Sequence, residues 1–388
     1  MLKNVLVFSK NSNYKNLFES HAEIETALLT NKIIKPTIDI SAVLLDGAIM
    51  EVENFAEIRE AFPEQKIYYK PTGIHSDVIM RNITRLCATH RINMVNEFLT
   101  ESQVVEEIVN IITNKSEYMS KRVISFFGTH SGAGVSTTTL NVANSLAQRT
   151  EAKVLVLSLN VWDPSDYFYE YQGHHLNDLK VDLRTQSLTP ARLEESLSQH
   201  SSGFYHLAGN RDIKMQRYFH PEEVEHLITV AKESFDLVLI DSGTHFDSGT
   251  TAQAYMSSNL RFLVTTQEEK GYRGYFPHVF QQLIEPIGGK TSDFMLLINK
   301  YQNRNTIIDS KKLEEELNMT MVATIPDMND LGNMSTYQKK LLYDLASDSV
   351  YTKNIDLVSN LIISETKLTE KIKDNDRKEK KGFMKLFS

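Results

Sequence analysis

Apolar residues in the first 115 positions fall into short runs separated by stretches with helical spacing. Val5-Leu6-Val7-Phe8 is the first run and Ala42-Val43-Leu44-Leu45 the second, with Ile67-Tyr68-Tyr69 and Ile92-Asn93-Met94-Val95 following. A helical pattern from Glu101 to Ile112 closes the set. Short apolar strands alternating with helices predict a small parallel α/β domain over residues 1–115. Residues 116–121 are polar and predict a linker. From 122 to 365 the apolar runs change character: Val123–Phe127, Val154–Leu157, Leu237–Ile240, Leu260–Val264, Met295–Ile298 and Met321–Ile325 are nearly continuous. Strands without alternation are those covered by helices on both sheet faces, so a second, mostly parallel α/β domain is expected. Helical patterns between these runs include Pro221–Glu233 and Lys311–Leu317. Residues 366–388 turn polar and Lys-rich and form a tail.

The run Val123–Phe127 flows into a small-residue loop, Gly128 to Thr138, and then into a helical pattern with Leu140, Ala143, Leu146 and Ala147 on one face. A strand, a glycine loop and a helix N-terminus together make a phosphate cradle, because glycines let backbone N–H groups close on an anion. Against the pattern G-x-x-x-x-G-K-[ST], Thr129 stands at the first glycine, Gly134 at the second, Val135 at the lysine and Ser136 at the hydroxyl. Thr129, His130, Ser131, Gly132, Ala133, Gly134, Val135, Ser136 and Thr137 are therefore the candidate nucleotide-binding residues. About 100 residues later, Leu237–Ile240 ends in Asp241. An acidic residue at that place in P-loop proteins helps hold magnesium, directly or through water. Ser136 and Asp241 are the candidate magnesium residues. In the first domain Asp46 also ends a strand, where α/β folds put their sites; as a lone carboxylate it reads as a turn or cap residue.

Composition narrows the function. The net charge of −8 argues against broad nucleic-acid binding. Cys87 is the single cysteine, which excludes an internal disulfide framework and cysteine-ligated zinc or iron–sulfur sites. No apolar run reaches transmembrane length, and Met1-Leu2-Lys3-Asn4 begins a strand, so a cytoplasmic protein is expected. His174, His175 and His245 lack companions at metal-ligand spacing, and Ser242 lacks a base. The aromatic stretch Trp162–Tyr171 is open between a dimer or partner surface and ordinary packing.

Taken in order, these motifs resemble the MinD/ParA family, the deviant-Walker, SIMIBI-type P-loop ATPases. His130–Thr137 matches the family loop K-G-G-x-G-K-T-T, and Val154–Asn160 matches its D-x-D strand with Ser158 and Asn160 at the acidic places. Asp241 matches the second acidic strand. Asn299, after Phe294–Ile298, matches the asparagine that reads adenine, and Ala323–Asp327, with Pro326, the segment beside the base. The resemblance implies ATP and Mg2+ as cofactors and a homodimer. Two loop lysines of the family are absent here: Val135 replaces one, and His130 replaces the one that reaches a partner's nucleotide. A charge-assisted contact is worth about 1.5–3 kcal/mol, so binding on backbone donors and magnesium is expected to survive and fast hydrolysis is not. His130 is expected to be a solvated loop residue.

The first domain resembles a response-regulator receiver, a flavodoxin-like fold, with Asp46 at the phosphorylated position. Ser9-Lys10 and Asn96-Glu97 stand where a receiver carries its acidic pair and its lysine, which implies a degenerate receiver that binds partners unphosphorylated. The architecture, with Gly134-Val135-Ser136-Thr137-Thr138, is similar to the TadZ/CpaE-like subgroup, which implies a localisation or scaffolding role in Flp (tight-adherence, type IVc) pilus or secretion assembly. In the tail, Lys380, Lys381 and Lys385 alternate with Phe383, Met384, Leu386 and Phe387. Such a basic amphipathic end resembles the membrane-targeting tail of MinD and suits the inner face of the cell membrane as a peripheral attachment. Each basic residue there adds about 1 kcal/mol, and dimerisation doubles the attachment. The rivals are an active ParA-type partitioning ATPase, a regulator phosphorylated at Asp46, and a scaffold whose cradle is empty.

Overall fold

Val5, Leu6, Val7 and Phe8 are fully buried because their strand lies inside a parallel sheet with helices on both faces. In the computed structural model, residues 2–33, 36, 38–72, 77–95, 99–113, 123–162, 165–215, 217–304, 308–346 and 349–371 are described. The linker residues 116–121, Asn96-Glu97 and the basic tail positions from Lys380 to Phe387 lie outside them. The chain divides into two units, Met1–Glu117 and Tyr118–Ser388.

The first unit holds β1 (Lys3–Phe8), β2 (Ile24–Thr30), β3 (Ala42–Asp46), β4 (Lys66–Lys70) and β5 (Ile92–Met94). Their order is β2-β1-β3-β4-β5 and every pairing is parallel. This is a doubly wound order whose switch point falls between β1 and β3. The pattern of apolar runs did not predict β2. It pairs only with β1, at the sheet edge, and Glu25 and Thr26 interrupt its apolar residues. Asp46 closes β3 at the switch point and is almost fully buried. Its Oδ1 accepts from the Ala48 N–H at 2.9 Å and from the Thr72 hydroxyl at 3.2 Å, and its Oδ2 accepts from the Ser9 hydroxyl at 2.5 Å. The carboxylate thus organises the turn that follows it, as a strand-end aspartate does.

The second unit is built on eight strands: β6 (Val123–Gly128), β7 (Val154–Ser158), β8 (Ser198–Gln199), β9 (Tyr205–Leu207), β10 (Leu237–Gly243), β11 (Leu260–Thr265), β12 (Phe294–Tyr301) and β13 (Thr320–Pro326). Their order is β13-β12-β11-β6-β10-β7-β9-β8, parallel throughout except for β8 against β9. Every residue of β6, β7 and β10 is buried. Two apolar layers flank the sheet. One contains Phe127, Leu227, Phe246 and Phe294, and the other Phe126, Leu146, Phe262 and Ile355. The helices Pro221–Ser234 and Ser310–Leu317 fall where the sequence places them. Among the described residues no helix is long and apolar enough to cross a membrane.

Strands β8 and β9 escape a pattern search because they are two and three residues long and β9 has a histidine at its centre. His206 is fully buried, with Nε2 2.9 Å from the Ser158 hydroxyl and Nδ1 3.0 Å from the Tyr169 hydroxyl. Burial pushes its pKa down to about 3. An unfolded histidine takes up a proton near pH 6.5, which the folded protein refuses down to about pH 3. Stability contributed by this site is complete above the unfolded value and declines as pH falls between the two, by up to about 1.4 kcal/mol per unit. His206→Gln should flatten the dependence seen in urea melts at about pH 5 and about pH 7. An unchanged pH difference would show that other groups set it.

Candidate nucleotide-binding site

The loop leaves β6 after Gly128 and turns through two residues in the left-handed region, Gly132 at φ 87° and Gly134 at φ 92°. Gly134 begins the helix Val135–Arg149 and has no side chain with which to cap it. The first-turn N–H groups of a helix have no partner within it, and here they open onto a cavity of about 900 Å³. That volume lies within the range of small-molecule and cofactor sites. The cavity floor is formed by His130 to Thr137, and its walls include Asn160, Asn299 and Pro326.

Most of the sequence-predicted residues meet at this cavity. Ser136 is buried in the first helical turn, and Thr137 lies beside it in the cavity lining. Thr129 does not line it. Its hydroxyl sits beneath the loop, 2.9 Å from His130 Nδ1 and 3.0 Å from Thr265 Oγ1. Asp241 lies in β10 next to β6, in register with Phe126 and Ser158; it is 1% exposed and does not line the cavity. Ser158 is committed to His206. Asn160 packs over Gly243 and lines the cavity. Asn299 faces the loop: its Nδ2 donates to the Ala133 carbonyl at 2.9 Å.

His130 departs from expectation. It is 5% exposed, not a solvated loop residue. Its Nε2 lies 3.4 Å from the Thr266 hydroxyl and 3.9 Å from Glu268. The ring is admitted because Gly271 has no side chain; a Cβ there would stand 2.4 Å from Nδ1. Desolvation lowers its pKa in spite of Glu268, so it is a neutral, inward-facing ring and not a substitute cation. Val135 is also buried, and joins the apolar layer with Leu140 and Phe126. The loop therefore carries no cationic side chain.

Other cavity residues were not expected at a nucleotide site. Lys300 and Arg217 line it, as do the half-exposed Trp162 and Tyr167 and the buried Phe168, while Tyr169 from the same aromatic stretch is a core residue. Adjacency to Asn299 was the one available signal for Lys300. Arg217 comes from a distant segment and carried none. Among the described residues no group of His, Cys, Asp or Glu side chains is placed to hold a metal by itself.

No protein-family model and no curated protein matches the sequence. Solved structures do match in three dimensions. A ParA family ATPase from Chlorobium tepidum TLS is 19% identical, covers 62% of this chain and 99% of its own, and has a TM-score of 0.56. The septum site-determining protein MinD from Pyrococcus horikoshii OT3, complexed with Mg-ADP, is 17% identical over 62% of this chain and 95% of its own, with a TM-score of 0.51. The MinC:MinD cell division protein complex of Aquifex aeolicus gives 16%, 63%, 96% and 0.51. A match of that extent cannot lie in Met1–Glu117 alone, so it lies chiefly on the loop-bearing unit. That unit has the ParA/MinD P-loop fold.

The residues of this ParA/MinD-like unit fit a nucleotide with magnesium. Nothing lies within 4 Å of where a Cβ on Gly132 would sit, so a ligand can approach the backbone there. The uncapped helix start favours an anion. Ser136 in the first turn and Asp241 on the neighbouring strand β10 supply a hydroxyl and a carboxylate, both oxygen donors of the kind Mg2+ prefers.

Proposed function

We propose that this protein binds ATP with Mg2+ as a nucleotide-responsive positioning or scaffolding factor and hydrolyses it slowly or not at all. The observation that carries this is the loop itself. The backbone cradle is intact, while the lysine position is the buried Val135 and the other loop-lysine position is the neutral, buried His130. Ser131 to Thr137 would hold the phosphates, with Gly132 and Gly134 shaping the cradle. Ser136 and Asp241 would hold magnesium, Asp241 through water. Asn299 would steady the loop beside the base, and Pro326 would border the base. The magnesium would neutralise phosphate charge; the side chains that position an attacking water in the family are here Ser158, tied to His206, and Asn160.

The finer assignment is a TadZ/CpaE-like factor for Flp pilus or secretion assembly, acting as a homodimer. Its first unit would be a pseudo-receiver that binds assembly partners, since Asp46 is already engaged by Ser9, Thr72 and Ala48. The basic tail would attach it peripherally to an anionic membrane surface. Names in the matching set include a septum site-determining protein and a cell-division complex, and placing other machinery is the kind of work proposed here.

Calorimetry of the full chain with ATP and Mg2+, paired with phosphate release and sedimentation with anionic liposomes, tests all three parts. Saturable binding without turnover is expected, with liposome binding that is lost when residues 382–388 are removed. Turnover on the order of 1 per second would make it an active positioning ATPase. Absence of nucleotide binding would reject the nucleotide role, and tail-independent sedimentation would reject the attachment.

A further inference from the structure

We propose that Lys300 supplies the phosphate-binding cation that the loop itself lacks. The inference rests on the proposal that the cavity takes a nucleotide, and it assigns the charged contact within that site to a residue of a different strand.

The geometry begins with β12. Successive residues of a strand point to opposite faces, so two neighbours are not expected to reach the same object. Asn299 and Lys300 do. Asn299 Nδ2 donates to the Ala133 carbonyl at 2.9 Å, and Lys300 Nζ donates to the Gly132 carbonyl at 3.0 Å. What allows this is a break in the strand: Lys300 has φ 50°, a left-handed conformation uncommon for a side-chain-bearing residue. The register of β12 against β13 shifts between Ile298 and Tyr301, at the same place. Outlying backbone of this kind tends to persist where a function holds it.

Charge points the same way. Two cationic side chains line the cavity among the described residues, Lys300 and Arg217. Arg217 is paired with Asp247 at 2.5 Å. Lys300 makes no ion pair within 4 Å among the described residues, and its one described hydrogen bond goes to a neutral carbonyl. Steadying a carbonyl does not require an ammonium; Asn299 does the equivalent next door with an amide. A lysine is a compact charge on a flexible stem of four carbons, so Nζ can leave the Gly132 carbonyl for a phosphate oxygen over the same glycine. Nothing lies within 4 Å of where a Cβ on Gly132 would sit. Lys300 would thus replace, from across the cavity, the ammonium missing at Val135. It is a binding residue for the phosphates of a nucleoside di- or triphosphate, not one for the base.

The test compares the full-length wild type with Lys300→Gln and Lys300→Arg in calorimetry with Mg-ATP, Mg-ADP and adenosine, at two salt concentrations, with thermal melts as the folding control. Lys300→Gln should weaken Mg-ATP roughly 10- to 100-fold, the loss of one charge-assisted contact. Adenosine affinity and melting temperature should stay unchanged, and part of the salt dependence should disappear. Lys300→Arg should recover most of the affinity. If wild type binds Mg-ATP and Lys300→Gln binds it equally well, the assignment of Lys300 is wrong while the nucleotide site stands. If adenosine weakens as much as ATP, Lys300 acts through the loop structure and the assignment is again wrong. If wild type binds no nucleotide, both fall together.

Discussion

Substitution of Gly134 by alanine should abolish Mg-ATP binding and destabilise the loop-bearing unit. Two costs combine at this position. The backbone sits at φ 92°, and holding an L-residue in left-handed conformation costs about 1–2 kcal/mol. The added methyl would also lie 2.0 Å from Asn299 Nδ2, so the amide must leave and forfeit its bond to the Ala133 carbonyl. The two costs separate in a double-mutant cycle, since residues in contact do not add. In an Asn299→Ala background the Gly134→Ala penalty in urea melts should shrink to its backbone part. Full additivity would show that the side-chain overlap is relieved at no cost and that the close approach is unimportant.

Phe127→Ala carries the largest expected loss of stability, about 3–5 kcal/mol. The ring is fully buried where β6 meets the loop. It stacks on Phe246 with centroids 5.0 Å apart, and meets the edges of Tyr255 and Phe294 at 6.2 and 5.8 Å. The three remaining aromatic side chains, on a loop, a helix and β12, cannot close over the vacancy without moving the elements that carry them, so most of the cavity should remain. Against a typical stability of about 5–15 kcal/mol, the variant should unfold at a much lower urea concentration and Phe127→Leu should lie in between. A loss under about 1 kcal/mol would mean that the cluster repacks freely.

Most strands were legible because they are local, continuous apolar runs: β6 and β10 need no partner to be recognised. The edge strand β2 was not, because its identity comes from pairing with β1. Very short strands such as β9 depend in the same way on the neighbour they complete. In the site, Gly132, Gly134 and Ser136 were readable from spacing along the chain. His130 was misjudged as solvated because its burial depends on Gly271, some 140 residues away, being without a side chain. Lys300 was overlooked for a related reason. Its approach to the loop depends on a backbone conformation that no composition rule signals, at a residue whose type does not favour it. Position along the chain identifies the donors of the cradle; the cavity's charge is settled only by which strand ends face one another.

The helix that begins at the cradle also has a far end. At about 1.5 Å per residue, Val135–Arg149 is a rod about 22 Å long. There the Lys371 N–H donates to the Arg149 carbonyl at 2.8 Å and the Glu151 N–H to the Thr369 carbonyl at 3.0 Å, while the Arg149 guanidinium lies 3.4 Å from both Asp356 and Glu370. The last described residues are thus moored to the opposite end of the element that seats the phosphates. Residues 369–371 tie the end of the helix Val350–Thr366 to the end of the helix that starts at the cradle, so the two rods share one anchorage.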